Sequence, residues 1–273
     1  MPGPTQRPMR KKRSGRGARL GQHFLTGLWA AKKLAEAIAV LPSETILEIG
    51  PGKGALTKEL LALAGQATGA HVVAIEKDEA LVEQLQKTFA REITDEKLTL
   101  VHQDIRDFEP ATWNLAPGTY IVAANIPYYI TGEIIRKFLT ADMQPREMAL
   151  LVQKEVADRI IARNGKESLL SLSVKAYGAP KIVANVSRGN FSPPPSVDSA
   201  ILLIENISRS FFADLDEEKF FEVLHTGFGS KRKQLSGNLK KKFGDIALPD
   251  VPKNIRAEDV ALDQWKKIVQ QLF

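Results

Sequence analysis

Hydrophobic positions along this chain fall into short runs, separated by longer stretches in which they recur every three or four residues. The runs at 45–49 (interrupted by one acid, Glu48), 71–76, 98–102 and 119–124 predict strands, the last of them buried. A fifth run lies at 148–152. The intervening periodicity predicts helices at about 28–40, 55–64, 79–91, 132–140, 154–163 and 168–177. Segments 181–186 and 199–204 read as a strand pair around a proline loop, and beyond residue 207 only helical patterns remain, at 216–226, 231–242 and 258–271. Alternating β and α units imply an α/β fold whose sheet is mostly parallel and covered on both faces. Three regions follow from this pattern: an aperiodic tail at 1–17 expected to stay disordered until bound, an α/β domain at 18–206, and a small α-helical domain at 207–273.

Charge sharpens that division. The net charge is +6, yet residues 1–20 hold seven basic side chains and no acid, and residues 226–243 hold six and no acid. The rest carries 25 basic against 32 acidic residues. Positive charge set on an acidic body is the pattern expected of phosphate contacts, with Lys231, Arg232 and Lys233 as candidate RNA-binding residues and a merely solvated helix face as the alternative. The absence of cysteine excludes a disulfide framework, cysteine-ligated zinc and a thiol nucleophile. Four histidines in separate contexts show no metal spacing, so no metal is expected. No apolar run approaches a membrane span and no hydrophobic leader is evident, so a cytoplasmic location is expected.

Candidate chemistry sits at the ends of the strands, where open α/β sheets bind ligands. The first strand leads into Gly50-Pro51-Gly52-Lys53-Gly54-Ala55, a turn that lets backbone approach a ligand closely. The second ends in Glu76, 22 residues beyond Gly54, placed to accept both ribose hydroxyls of an adenosine-containing cofactor. The third is followed by Asp104, a candidate acceptor for an adenine amino group. By spacing, Gly50, Gly52 and Ala55 also satisfy a dinucleotide fingerprint, which keeps an NAD-dependent oxidoreductase in play.

The fourth strand ends in Asn125-Ile126-Pro127-Tyr128. An exocyclic amine on a nucleobase is a poor nucleophile, because its lone pair is delocalised into the ring. The Asn125 side-chain oxygen and the Ile126 carbonyl together could accept both N–H protons and turn the lone pair toward an electrophile. Pro127 would fix the turn and Tyr128 would offer a stacking face. Taken alone, the quartet also reads as a strand-ending turn with a packing tyrosine.

These residues resemble the S-adenosylmethionine-dependent ribosomal RNA adenine N6-dimethyltransferases. The resemblance rests on segments 48–57, the Glu76 strand end, Asp104 and the Asn125 quartet. Segments 20–25, 153–157, 191–200 and 228–235 and the pair Asn238-Leu239 extend it, so it spans residue 18 to the C-terminus in family order. It implies a Rossmann-like methyltransferase sheet with an antiparallel edge strand, S-adenosylmethionine as cofactor, and a monomer acting on two adjacent adenines of small-subunit ribosomal RNA on an assembling subunit. It further implies that His23 and Leu25 close over the cofactor, with Gly50, Gly52, Glu76, Asp104 and Asn125 holding it. Phe191, which by itself reads as a plug beneath the stiff Ser192–Pro195 loop, becomes a second stacking face opposite Tyr128. Two departures stand out: Ile126 replaces a common Leu, and His23 replaces a common Asn, leaving its role open. Two other substrate readings remain, a large-subunit adenine methyltransferase of the macrolide-resistance type and a non-catalytic RNA-binding assembly or transcription factor on the same fold.

Overall fold

A computed structural model of the chain describes residues 23–246 and 248–273. The expected disordered tail at 1–17, and the whole first basic segment with it, lies outside the described residues. A two-residue ribbon, β1 (Phe24–Leu25) against β8 (Phe191–Ser192), pairs segments far apart in sequence and is too short to show in any periodicity. The central sheet is built from β2 (Thr45–Ile49), β3 (His71–Glu76), β4 (Leu98–His102), β5 (Tyr120–Asn125), β6 (Glu147–Gln153), β7 (Ala179–Val186) and β9 (Ser199–Glu205). Their order is β4-β3-β2-β5-β6-β9-β7. The first five are parallel, and β9 runs antiparallel to both β6 and β7. The expected antiparallel pair is therefore present at that edge, with the antiparallel strand itself lying inside β7.

The apolar runs have their explanation in two layers of core. Leu47, Val73, Val122 and Leu150 face one apolar cluster, whereas Ile46, Val72, Ile121 and Leu151 face the other. The second layer contains α1 (Leu28–Ala35), α2 (Ala55–Ala64) and α3 (Glu79–Thr88), and the first includes α5 (Thr131–Thr140), α6 (Lys154–Ile160) and α7 (Leu169–Lys175). The helix expected over 79–91 is divided: Phe89 leaves helical geometry at φ −113°, ψ 29° and a short α4 (Ala90–Thr94) follows. The first helix stops at Ala35 instead of running to 40.

After β9 the chain is helical, with α8 (Glu217–Gly227), α9 (Leu235–Phe243) and α10 (Leu262–Leu272) around Phe220, Leu224, Leu239 and the fully buried Trp265. This third cluster also takes in Leu172 and Ala176 at the end of the α/β region. Helix α9 begins at Leu235 rather than 231. Gln234 is extended (φ −63°, ψ 150°), and the buried Asn238 amide donates to the Gly227 (2.7 Å) and Ser230 (3.1 Å) carbonyls, holding residues 231–234 as a turn.

Candidate active site

Four of the five parallel strands, β2, β3, β4 and β5, bring their C-terminal ends to one cavity. His23, Leu25, Gly50, Gly52, Glu76, Asp104, Asn125, Ile126, Pro127 and Tyr128 all line it. Residues spread over a hundred positions are thus brought together, those from Gly50 to Tyr128 on a strand end or the turn beyond it and His23 and Leu25 on the short β1 segment.

The glycine turn explains its composition. Gly50, Gly52 and Gly54 have φ of +68°, +59° and +82°, a region that side-chain-bearing residues adopt with strain. A Cβ on Gly50 would meet nothing within 4 Å, so the open space there belongs to the cavity. One on Gly54 would fall 2.5 Å from the Phe89 ring, so that glycine serves packing. Glu76, 6 % exposed, ties this turn to β3: its Oε2 accepts from Gly52 N–H (3.1 Å) and its Oε1 from Lys77 N–H (2.9 Å) and Asp78 N–H (3.0 Å). Three donors on roughly four lone-pair sites leave room for one ribose hydroxyl; taking both requires the Gly52 contact to yield.

Asp104 is more committed than its sequence context suggested. Arg106 donates to Oδ1 through Nε (3.1 Å) and to Oδ2 through Nη2 (2.6 Å), and Lys77 approaches Oδ2 at 3.4 Å. The Arg106 guanidinium first, with Lys77 adding to it, holds the Asp104 carboxyl well below the usual carboxylate range.

Asn125 ends β5 half-buried, and its amide nitrogen donates to the His23 carbonyl at 3.2 Å. That contact orients the side chain and leaves Oδ1 as its uncommitted acceptor among the described residues. The His23 ring lies 5.8 Å from that of Tyr128, and its Nδ1 donates to the Pro193 carbonyl at 2.8 Å, which fixes the orientation of the ring. Tyr128 opens a short turn, and its hydroxyl meets Ser199 Oγ at 2.7 Å; burial raises its pKa and the Ser199 bond partly offsets this.

Phe191 departs from expectation. Its ring is 4 % exposed, does not line the cavity, and belongs to the apolar cluster of Leu25, Leu34 and Val186, because β8 pairs it opposite Leu25. Swinging it out to face Tyr128 would forfeit burial worth roughly 1.5–3 kcal/mol.

Several residues at the site carried little or no sequence signal. Phe24 packs on Gly52 and under Lys53, whose Nζ lies 4.9 Å from the ring centre. Tyr129, 66 % exposed, stands at the cavity mouth. Glu48 is 1 % exposed in β2, and neither of its oxygens has a hydrogen-bond partner among the described residues. Burial pushes its carboxyl up to about 8; neighbouring Thr57 eases the penalty without reaching hydrogen-bond geometry, and Glu76 adds to it. As the one acid inside an apolar run, Glu48 is visible in the sequence as an anomaly without a role. The other buried ionic cluster, Arg146 with Glu44 (2.9 Å) and Glu147 (3.1 Å), lies at the opposite end of the sheet and stitches the strand starts together.

Lys231, Arg232 and Lys233 lie away from the cavity, exposed on the turn before α9 and without an ion pair among the described residues. By contrast, Lys240 pairs with Asp245 (2.7 Å) and Lys242 with Glu222 (2.7 Å). No cluster of three or more metal-ligating side chains occurs among the described residues, and no helix there is long and apolar enough to cross a membrane.

Comparison with known proteins agrees with this geometry. The crystal structures of the 23S rRNA methyltransferase ErmE and of a dimethyladenosine transferase from Plasmodium falciparum each superpose with a TM-score of 0.74 at 24 % identity, covering 91 % and 90 % of this chain and 99 % and 96 % of theirs, which establishes a shared fold. A protein of Dehalococcoides mccartyi (strain CBDB1) named ribosomal RNA small subunit methyltransferase A is 38 % identical over 258 residues, 91 % of this chain and 86 % of that one. Its namesake in Moorella thermoacetica is 38 % identical over 269 residues, 92 % of this chain and 91 % of that one. The sequence profile of the ribosomal RNA adenine dimethylases matches residues 15–273, and with the relatives just described it establishes that this chain belongs to the ribosomal RNA adenine dimethylase family.

Proposed function

We propose that this protein transfers methyl groups from S-adenosylmethionine to N6 of two adjacent adenines in a loop of small-subunit ribosomal RNA during subunit assembly. The observation that carries this reading is the Asn125–Tyr128 quartet at the end of β5, with the Asn125 amide nitrogen tied to the His23 carbonyl and its oxygen left to accept. The relatives at 38 % identity, all named for the small subunit, favour that RNA over the large-subunit alternative.

A methyltransferase fold in this family implies a methyl donor of the S-adenosylmethionine type. The residues fit it: Gly50 faces open space, Glu76 keeps an acceptor position at the end of β3, and Asp104 follows β4 in ionised form. When bound, this group supplies a methyl already activated on a sulfonium. The chain's own work is then positional. The glycine turn would admit the cofactor's amino-acid end, Glu76 would take a ribose hydroxyl, Asp104 would take the adenine amine once its long Lys77 contact yields, and the His23–Leu25 segment would cover it. Asn125 Oδ1 and the Ile126 carbonyl accept from the target amine, Pro127 sets the turn, and Tyr128 stacks on the base. No strong general base is needed, because the amine proton becomes acidic only as the new N–C bond forms. For a second methylation one acceptor contact must be dispensable. Residues 18–206 form the catalytic unit and 207–273 an RNA-positioning unit in this reading, acting in the cytoplasm as a monomer.

Small and large ribosomal subunits from cells lacking this protein, each treated with purified enzyme and S-adenosylmethionine, test the reading by mass spectrometry. N6,N6-dimethyladenosine is expected in small-subunit RNA; its appearance only in large-subunit RNA, or nowhere, overturns the proposal.

Two further outcomes are expected. Glu76→Ala weakens S-adenosylmethionine binding by about 1–3 kcal/mol, the scale of leaving buried donors unmatched; calorimetry on a folded variant with unchanged affinity would remove Glu76 from the site. Changing Lys231, Arg232 and Lys233 together to Ala lowers the log–log salt slope of RNA binding by about 0.7–0.9 for each phosphate no longer neutralised, while cofactor affinity stays constant. Deleting residues 7–19 is expected to act similarly but with less specificity. Salt titrations with identical slopes for wild type and both variants would mean that these cations are only solvated.

A further inference from the structure

Most cations around the candidate active site are already matched. Lys77 and Arg106 are held by Asp104, Arg159 pairs with Glu155 (2.9 Å) and Arg163 with Asp158 (2.9 Å). Lys154 and Arg188 are not: both are exposed, and like Lys53 over the Phe24 ring neither forms an ion pair among the described residues.

Both are anchored to one residue. Lys154 N–H donates to the Asp198 carbonyl (3.0 Å), and Arg188 N–H donates to Asp198 Oδ1 (3.0 Å). Asp198 immediately precedes Ser199, whose Oγ meets the Tyr128 hydroxyl. The backbones of two free cations are thereby fixed one residue from the anchor of the ring that receives the target base. Lys154, Arg188 and Asp198 line a groove that shares Glu155 and Asp158 with a larger cleft reaching Lys231 on the helical unit. Of the acids lining this path, Glu155, Asp158, Glu167 and Glu258 pair with Arg159, Arg163, Lys175 and Lys166, which leaves the Asp198 carboxylate, held by the Arg188 N–H, against two cations.

We propose that Lys154 and Arg188 clamp the RNA phosphate adjoining the target adenine, and that the strand runs from there across α6 toward Lys231. The proposal rests on the RNA-methylation reading above and assigns it a substrate path. A base drawn out of its stack leaves its backbone bent, and holding the neighbouring phosphate fixes where the base can reach. A guanidinium offers paired donors to phosphate oxygens and an ammonium adds a point charge, so together they suit one phosphate group. Such a clamp sets the distance between target and helical unit without reading base identity.

The test uses the full chain and small ribosomal subunits from cells lacking this protein. The double variant Lys154→Gln/Arg188→Gln is expected to lower the log–log salt slope of subunit binding by about 1.4, two single-strand charge neutralisations. Taking both interactions to vanish at molar salt, its Kd at 0.1 M salt rises roughly ten- to thirtyfold. Cofactor affinity stays unchanged, which reports an intact fold. Lys87→Gln, an exposed cation on α3 that lines neither groove, should leave the slope as it is. Ethylation interference supplies the position: phosphates beside the methylated adenines should block binding when ethylated for wild type and cease to do so in the double variant. A wild-type slope, or an unchanged interference pattern, in the double variant overturns the clamp. Because these readouts measure binding, a wild type that binds with the predicted slopes but yields no dimethyladenosine would overturn the methylation reading and retain the clamp.

Discussion

Asn125→Ala slows methyl transfer by roughly a hundredfold or more, the scale of misplacing a reacting group by about an ångström, while RNA affinity stays close to wild type. The asymmetry follows from what the side chain contacts. Its amide nitrogen is spent on the His23 carbonyl, which makes Asn125 part of the frame linking β5 to the segment before β1. Its oxygen is, with the Ile126 carbonyl, one of the two groups placed to accept from the target amine and fix the direction of the nitrogen lone pair. Alanine removes both, yet RNA affinity is dominated by phosphate contacts made elsewhere. Single-turnover methylation separates the two effects, because it reports chemistry after binding is complete. A variant with the wild-type single-turnover rate would end the proposed role of the quartet. Asn125→Asp provides the complementary case: it keeps an acceptor but has no donor for His23, so it should impair cofactor closure as well as rate.

Wild-type stability is expected to fall as pH rises from about 5 to 8, and Glu48→Gln should flatten that dependence. The sign follows from the direction of the shift. Burial raises the Glu48 carboxyl from its ordinary value of 4.5 to about 8 in the folded protein. Between those values the folded state holds a proton that the unfolded state has released. Raising pH therefore favours unfolding, and the loss is complete once pH passes the folded value. By linkage the full window is worth roughly 3–5 kcal/mol. A glutamine at this position would be neutral throughout, so the variant should match wild type near pH 5 and exceed it above pH 8. Urea unfolding followed by circular dichroism at pH 5, 7 and 9 measures this directly. Parallel pH profiles for the two proteins would show that Glu48 does not titrate as a buried carboxyl. The group sits two residues before Gly50, beneath the turn that Glu76 ties to β3, so its protonation state also bears on the rigidity of that turn.

Much of the frame was legible in the chain itself. The runs at 45–49 and 71–76 coincide with β2 and β3 because strands buried on both faces are mostly apolar, and 98–102 coincides with β4 although that edge strand leaves Thr99 and His102 exposed. Gly50 and Gly52 were recognisable because positive φ at a strand-to-helix turn favours glycine. The candidate cavity residues were readable for a related reason: in a parallel sheet every strand delivers its C-terminal end to the same side, so order along the chain already implies convergence.

Long-range partners were not readable, because periodicity records which face of an element is buried and not what lies against it. Phe191 looked like a stacking ring until its pairing with Leu25 placed it in the core. Asp104 looked like a free acceptor until the chain turned Arg106 back onto it. Of six cations in one basic segment, the tertiary structure paired Lys240 and Lys242 and left Lys231, Arg232 and Lys233 on an exposed turn. The amino-acid sequence by itself determined the succession of strands, the glycine turn and the identity of the polar groups at each strand end, all of which follow from local backbone geometry and burial. Only the tertiary structure decided which of those groups remain uncommitted, since that depends on contacts between segments as far apart as His23 and Pro193, which no local pattern encodes.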